Sequence, residues 1–400
     1  MAERDESFGV GLAELMNPEV ARNPQPIYSM LQASTPIFRL DGVGVIVASR
    51  SGVDEVLRNP DSFSSGAPAH DLKTRRPLIP LQIDPPDHKK YRKLLDPLFA
   101  PQRMRLLEDA ATGLVNDLID GFVDQDEIDF SKQFSTPFPS QMFLTMFGLP
   151  MDDLPTFLAM KDGVIRPDVV VGHEFGHPET EAHQQRTADS IYAYFERVID
   201  ERADAPREDF LSHFLQAEVD GDRLTREEIL DICFLFLIAG LDTVTASLDC
   251  FFGYLVDHPD ARRKLAEEPE SIPQVVEEML RWETPVMGCA RVATSDVEID
   301  DFEVGEGEMV MALLGAANVD ATEFPGADQL VWDRDANRHL AFGGGIHRCL
   351  GSHLARLELR VALREWHRRV PDYARKPGVE LNYTAGIRTL DSFPMLLGKR

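Results

Sequence analysis

Apolar residues recur at three- and four-residue spacing along most of the chain, and prolines mark where one such run gives way to the next. The pattern predicts helices over 51–58, 87–98, 102–124, 136–147, 180–203, 225–257, 259–267, 273–282 and 350–369. Short stretches with strand character fall at 36–48, 290–299, 309–314 and 380–397. The expected fold is mainly α with small β-sheets. No repeat or low-complexity linker divides the 400 residues, so 1–400 reads as a single domain with 1–20 as a flexible leading segment.

The segment 225–257 carries the strongest local signals. Thr225 and Glu228 form a T-x-x-E capping box, and His258-Pro259 ends the helix. A helix of this span is a rod of roughly 50 Å, long enough to cross a whole domain. Its middle, Cys233 to Leu241, is apolar on every face and is expected to be buried all round. Inside that stretch lies Ala239-Gly240-Leu241-Asp242-Thr243. Buried polar groups are costly there. One explanation is structural: Gly240 permits a close helix crossing, Asp242 reaches a surface and Thr243 bonds back to a carbonyl. The other is that the acid and the hydroxyl do chemistry.

A second signal is Phe342-Gly343-Gly344-Gly345-Ile346-His347-Arg348-Cys349-Leu350-Gly351. Glycines let a backbone turn tightly or approach a flat ligand. A cysteine opening the predicted helix 350–369 lies at the positive dipole end, which favours a thiolate. Such a loop suits one-sided metal ligation. It could also be an anion-binding loop or a metal-free reactive thiol, although it lacks both the G-K-[ST] ending and the G-x-G-x-x-G spacing of phosphate loops. A third motif, Glu278-Met279-Leu280-Arg281, places acid and base on one helix face; alone it reads as a surface ion pair.

Together and in this order, the three motifs resemble cytochrome P450, over about residues 20–395 and most closely its soluble bacterial members of the camphor-hydroxylase type. The resemblance implies the single-domain cytochrome P450 fold and a haem-thiolate monooxygenase acting on an apolar small molecule with O2. Cys349 then matches the axial ligand of haem b. Asp242 and Thr243 match the acid–alcohol pair that delivers protons, and Gly240 leaves room for oxygen beside Ala239. His88, Arg92, Arg291 and His347 match propionate partners, while Phe342 and Gly343 belong to the haem loop. Glu278 and Arg281 match a structural pair with Arg334 or His339 as a third member. Leu235, Val286, Met287 and Leu390 match the substrate pocket, which draws also on 63–83 and 160–185. Their apolar character suits a terpenoid, steroid or fatty-acyl substrate, with Arg75 or Arg76 available to a substrate carboxylate. Two positions depart from the family pattern: Asn318-Val319-Asp320 replaces a commoner A-N-R-D run, and Thr322 follows.

Charge refines this picture. The net charge of −27 argues against nucleic-acid partners. Within it, residues 72–105 carry nine Lys and Arg against three acids, and 347–376 carry eight against three. In the family's fold both segments lie on the cysteine side of the haem, where a basic patch would steer an acidic ferredoxin. No flavin or iron–sulfur motif is present, so electrons are expected from a separate ferredoxin and its NAD(P)H-dependent reductase. Four cysteines in such a length fit a reducing compartment. The acidic N-terminus does not read as a signal peptide, and the apolar run Ile232 to Ala239 is short of the ~20 residues of a membrane span. The expected location is the cytoplasm.

One motif points elsewhere. His173-Glu174-Phe175-Gly176-His177 is an H-E-x-x-H, and His183 follows where a zinc peptidase of the metzincin kind has its third ligand. In that reading Glu174 is the base. Against it, Pro178 and two flanking glycines disfavour a helix, Thr180 stands where the metzincin glycine belongs, and no Met-turn follows. A haem-binding sensor without turnover is a further alternative, one that has no need of Asp242 and Thr243.

Overall fold

The long apolar segment forms one helix, Arg226–Val256, closed at its start by the expected capping box. The Thr225 hydroxyl accepts from the Glu228 N–H, and the Glu228 carboxylate accepts from the Thr225 N–H. The structure is a computed structural model that describes residues 17–66 and 71–398. Most of the segment 1–20 therefore lies outside the described residues; its last residues open a short helix, Pro18–Arg22. By length and hydropathy the long helix could cross a bilayer, but 78% of its most apolar window is buried within the protein.

Around this axis pack Pro137–Met146, Leu154–Ile165 and Pro178–Asp204, together with Ile272–Glu283 and Ser352–Arg369. Two apolar clusters result, and the long helix contributes to both. In one, Trp366 takes Phe134 and Phe252 edge-on at centroid distances of 4.8 and 5.1 Å. Each fully buried ring of this kind stabilises the fold by roughly 1.5–3 kcal/mol.

A five-stranded sheet runs Ile37–Leu40, Gly44–Val47, Met309–Ala312, Cys289–Ala293, Phe63–Ser64. Its pairs are antiparallel except Gly44–Val47 with Met309–Ala312. The register sets Arg291 opposite Val310. A three-stranded sheet joins Tyr373–Arg375, Pro394–Leu397 and Glu127–Asp129.

The structure departs from the sequence expectation in several places. The run 102–124 breaks into Pro101–Met104, a 3-10 turn Arg105–Leu107 and Glu108–Asp120. The helix expected over 87–98 stops at Leu95, where a 3-10 turn containing Pro97 takes over. Only Pro394–Leu397 of 380–397 is a strand, the rest being irregular chain with isolated bridges. Leu154–Ile165 and Phe210–Gln216 are additional helices.

Glu278 and Arg281 are not a surface pair. They are 1% and 0% exposed and bonded through both nitrogens of the guanidinium fork, at 2.7 and 2.8 Å. Arg334 is the third member at 3.1 Å, whereas His339 bonds the neighbouring Glu277. Arg281 also donates to the carbonyls of Asn318, Ala327 and Gln329. Asn318 in turn accepts from the Leu340 N–H, which ties the network to the start of the cysteine loop. The two unusual positions fit this frame: Asp320 accepts from the Arg50 N–H and from both the N–H and the hydroxyl of Thr322.

Candidate active site

The cysteine loop is closed by the Cys349 N–H donating to the Phe342 carbonyl at 2.9 Å. Gly345 has φ +62°, and a Cβ there would lie 2.0 Å from the Leu57 carbonyl oxygen, so the close approach of the two segments requires glycine. Cys233 and Cys250 are buried and Cys289 half-buried, whereas Cys349 is accessible. The following helix starts only at Ser352 with Gly351 as its cap. Cys349 therefore gains less from the helix dipole than its sequence position suggests. Surrounding protein pushes its thiol up, while the Gly351 N–H and the cations Arg92, Arg348 and Arg356 pull it back only in part. A bound metal ion reverses that balance, because coordination deprotonates a thiol outright.

In the long helix, Ala239 and Gly240 are exposed and Thr243 half-buried, although Leu237, Ile238, Leu241 and Val244 beside them are buried. Leu235, Ala239 and Thr243 share this face at four-residue spacing. Leu350 and Leu354, next to the cysteine, pack on the cluster holding Leu235, Ile238 and Leu241. The Thr243 hydroxyl donates to the Ala239 carbonyl at 2.9 Å. Asp242, one residue before it, is 3% exposed and points elsewhere, its Oδ1 accepting from Lys161 Nζ at 2.8 Å. Lys161 is shared with Asp162 at 2.9 Å, and Asp162 is held by Arg166 at 2.6 Å. Asp242 is thus the inner end of a charged chain that leads outward to Arg166 and Asp391.

His88, on the helix Asp87–Leu95, meets His347 of the cysteine loop with ring centroids 4.3 Å apart. The Nε2 atoms of both rings are buried without a hydrogen-bond partner. Burial pushes the His347 ring down to about 3, helped by His88, Arg291 and Arg92; burial and Arg92 push His88 down as well. Arg92 donates to the Arg348 carbonyl at 2.8 Å, and buried Arg291 to the Ala290 carbonyl at 2.8 Å. Two partnerless imidazole nitrogens beside two guanidiniums with N–H groups to spare are suited to receive carboxylates, which would raise both histidines. Phe342 is held by the Arg356 guanidinium, 4.4 Å from its ring centroid, and Arg356 is pinned on Glu277 at 2.6 Å.

The other expected residues divide. Val286 is half-buried and bridged to Ile387, also half-buried. Met287 faces the opposite way and packs with Tyr28, Leu31 and Leu313. Leu390 is 4% exposed in the aromatic cluster, its N–H donating to Asp249. Arg76 is engaged by Asp231 at 2.7 Å, and Arg75 by Glu196 and the Tyr192 ring, so neither is free for a substrate carboxylate. The peptidase reading fails on geometry. Residues 173–177 form a turn and not a helix, Glu174 stands outside the group formed by His173, His177 and Glu179, and His183 packs toward Gly163. Lys161, Arg166 and Ile387 were not marked by any sequence motif.

A glycine-rich cysteine loop, an opened stretch of core helix beside an acid and a hydroxyl, and a cluster of cations and imidazoles suited to carboxylates have the donor set of a haem-thiolate site. Comparison with known proteins agrees. The family model described as Cytochrome P450 matches residues 19–366. The Vitamin D(3) 25-hydroxylase of Pseudonocardia autotrophica is 32% identical over 395 residues, covering 95% of each chain. Two solved structures superpose closely. Cytochrome P450 CYP109Q5 from Chondromyces apiculatus has a TM-score of 0.86 at 31% identity, covering 96% of this chain and 98% of its own. CYP109E1 from Bacillus megaterium, solved in complex with testosterone, has 0.85 at 28%, covering 96% and 100%. The chain belongs to the cytochrome P450 family. It is a monooxygenase with haem b as its cofactor.

Proposed function

We propose that the protein hydroxylates a rigid apolar molecule of steroid or terpenoid type, drawing electrons from a ferredoxin in the cytoplasm. Cys349 holds the haem iron, and His88, Arg92, Arg291 and His347 take the propionates. A haem held there would supply the activation of O2 and the transfer of one oxygen atom to a C–H bond. The chain's own residues supply position and protons. Ala239 and Gly240 leave the helix face open for close approach. Thr243 presents a hydroxyl there, and Asp242 supplies it with protons by rotating its carboxylate from Lys161 toward the open face. Lys161 hands a proton to Asp242 and regains one through Asp162, which Arg166 holds at the outer end of the chain.

Leu235, Val286 and Ile387 form the apolar wall we assign to the substrate. The testosterone bound to CYP109E1 and the activity named for the vitamin D relative support a flat polycyclic substrate. Lys89, Arg105, Arg348 and Arg360 make no salt bridge among the described residues, and we assign them to the ferredoxin surface. Other cations of the two basic segments are neutralised, such as Arg364 by Glu108 and Arg369 by Asp120. The patch is therefore smaller than the sequence windows imply.

The observation that carries this reading is the exposed Ala239-Gly240 stretch beside Asp242 and Thr243 inside a buried helix. It is tested by incubating the haem-loaded protein with ferredoxin, reductase, NADPH and testosterone or vitamin D3. A product one oxygen heavier, formed with matching O2 use, supports the reading. A protein that binds neither sterol by haem spectroscopy and oxidises neither contradicts the substrate assignment.

A further inference from the structure

Away from the haem site, His173, His177 and Glu179 bring one ligand atom each to within 4.8 Å of one another. We propose that these three residues bind a divalent transition metal of the zinc, cobalt or nickel kind, at the turn joining the helices Pro167–Val171 and Pro178–Asp204. Two imidazoles and one carboxylate are borderline donors that select such ions over magnesium or calcium.

The three groups are gathered before any ion arrives. The two rings stack with centroids 4.1 Å apart and planes inclined by 17°, and His173 Nε2 lies 3.2 Å from Glu179 Oε2. The turn is tied independently of the ligand groups. The hydroxyl of Thr180, itself 1% exposed, donates to the His173 carbonyl at 3.1 Å, and the His177 N–H donates to Glu174 at 3.2 Å. Gly176, at φ +86°, reverses the chain between the histidines. An ion still has to draw these ligand atoms closer together and turn the stacked rings toward itself, so its binding orders the turn further.

Two terms oppose binding. The positive end of the helix dipole faces a cation here, and it is countered by Glu179 and Glu181 in the first turn. His177 Nδ1 also accepts the Glu179 N–H as the helix cap, at a long 3.3 Å. An ion at Nδ1 replaces that bond, and an ion at Nε2 moves the ring proton to Nδ1, so either mode exchanges a weak cap for a metal bond. Glu181 meanwhile stays engaged with Lys73 at 2.5 Å, which joins this turn to the chain around Lys73. The bound ion should therefore stiffen the turn rather than catalyse, since Glu174 lies outside the cluster.

The test is equilibrium dialysis of untagged, haem-loaded protein against ZnCl2, a readout separate from oxygenase activity. The expected result is one zinc per chain with a dissociation constant on the order of 1–10 μM. His173→Ala and His177→Ala should each weaken binding at least about tenfold, and His183→Ala should leave it unchanged. Amide exchange over 173–181 should slow with zinc in the parent protein and not in either histidine variant. The site is overturned by no uptake at about 100 μM zinc, by variants that bind as the parent does, or by an equal loss in His183→Ala. Unchanged amide exchange in zinc-loaded protein overturns the stiffening of the turn.

Discussion

Asp242 and Thr243 are neighbours in sequence that face different environments. Thr243 lies on the open helix face, while Asp242 is closed onto Lys161 at 2.8 Å. Asp242→Asn keeps the shape and the hydrogen-bonding oxygen but cannot shuttle a proton. It should leave haem incorporation and substrate binding intact, lower product formation by about 10²-fold and divert O2 use away from product. Paired measurement of O2 consumption and product checks this; normal, coupled turnover would remove Asp242 from the proton path. The acid and the hydroxyl stand out in the sequence because each is anomalous in an apolar helix. Lys161 does not, because the segment around it reads as a solvated lysine in an unpatterned stretch and its burial depends on a partner 81 positions away.

Elements explain what holds the site in place. Arg281 is wholly buried and satisfies three carbonyls besides Glu278, so Arg281→Met leaves Glu278 with one partner fewer and those carbonyls bare. The loss should be about 3–5 kcal/mol of stability, seen as a lower denaturation midpoint and weak haem retention. Asp249 provides a pH signature. It accepts from the hydroxyls of Ser131 and Ser135 and from the Leu390 N–H, yet burial pushes its carboxyl up to about 7. In the unfolded chain the same group ionises near its ordinary value of 3.8. Its contribution is therefore complete below that pH and declines as pH rises toward about 7. Asp249→Asn should flatten that part of the stability–pH curve, and an unaltered slope in chemical denaturation across pH 4–7 would contradict this.

At this scale the sequence showed the long helix with its cap and the cysteine loop clearly, because both rest on local signals. It hid Leu154–Ile165, which has Pro155 in its first turn and Gly163 near its end, and whose residues divide less cleanly into two faces. Gly163 is there because His183 and Thr187 pack where a Cβ would stand, a long-range reason that no local pattern carries. The Glu278–Arg281 pair was visible as a motif, but its burial was not, since the groups enclosing it come from residues 318–337.

The whole molecule is strongly acidic, with a net charge of −27, and the proposed partner surface is the basic group Lys89, Arg105, Arg348 and Arg360. Association with an acidic ferredoxin should accordingly weaken as salt rises, and Arg348→Glu should lower the rate of electron transfer severalfold at low ionic strength and little at high. Stopped-flow reduction at two salt concentrations checks this; a rate indifferent to both changes would place the partner elsewhere. The two basic windows overstate the charge available to a partner, because acids from distant segments, Glu108 and Asp120 among them, neutralise part of it.

The central claim is that Cys349 supplies the thiolate to a haem bound between its loop and the open face of Arg226–Val256. The most direct measurement is the absorption spectrum of the haem-loaded protein, reduced with dithionite and exposed to carbon monoxide, for the parent and Cys349→Ser. The parent should show the red-shifted Soret band of thiolate-ligated haem, and the variant should bind haem without it. Haem-loaded parent protein lacking the band, or a variant retaining it, would contradict the account.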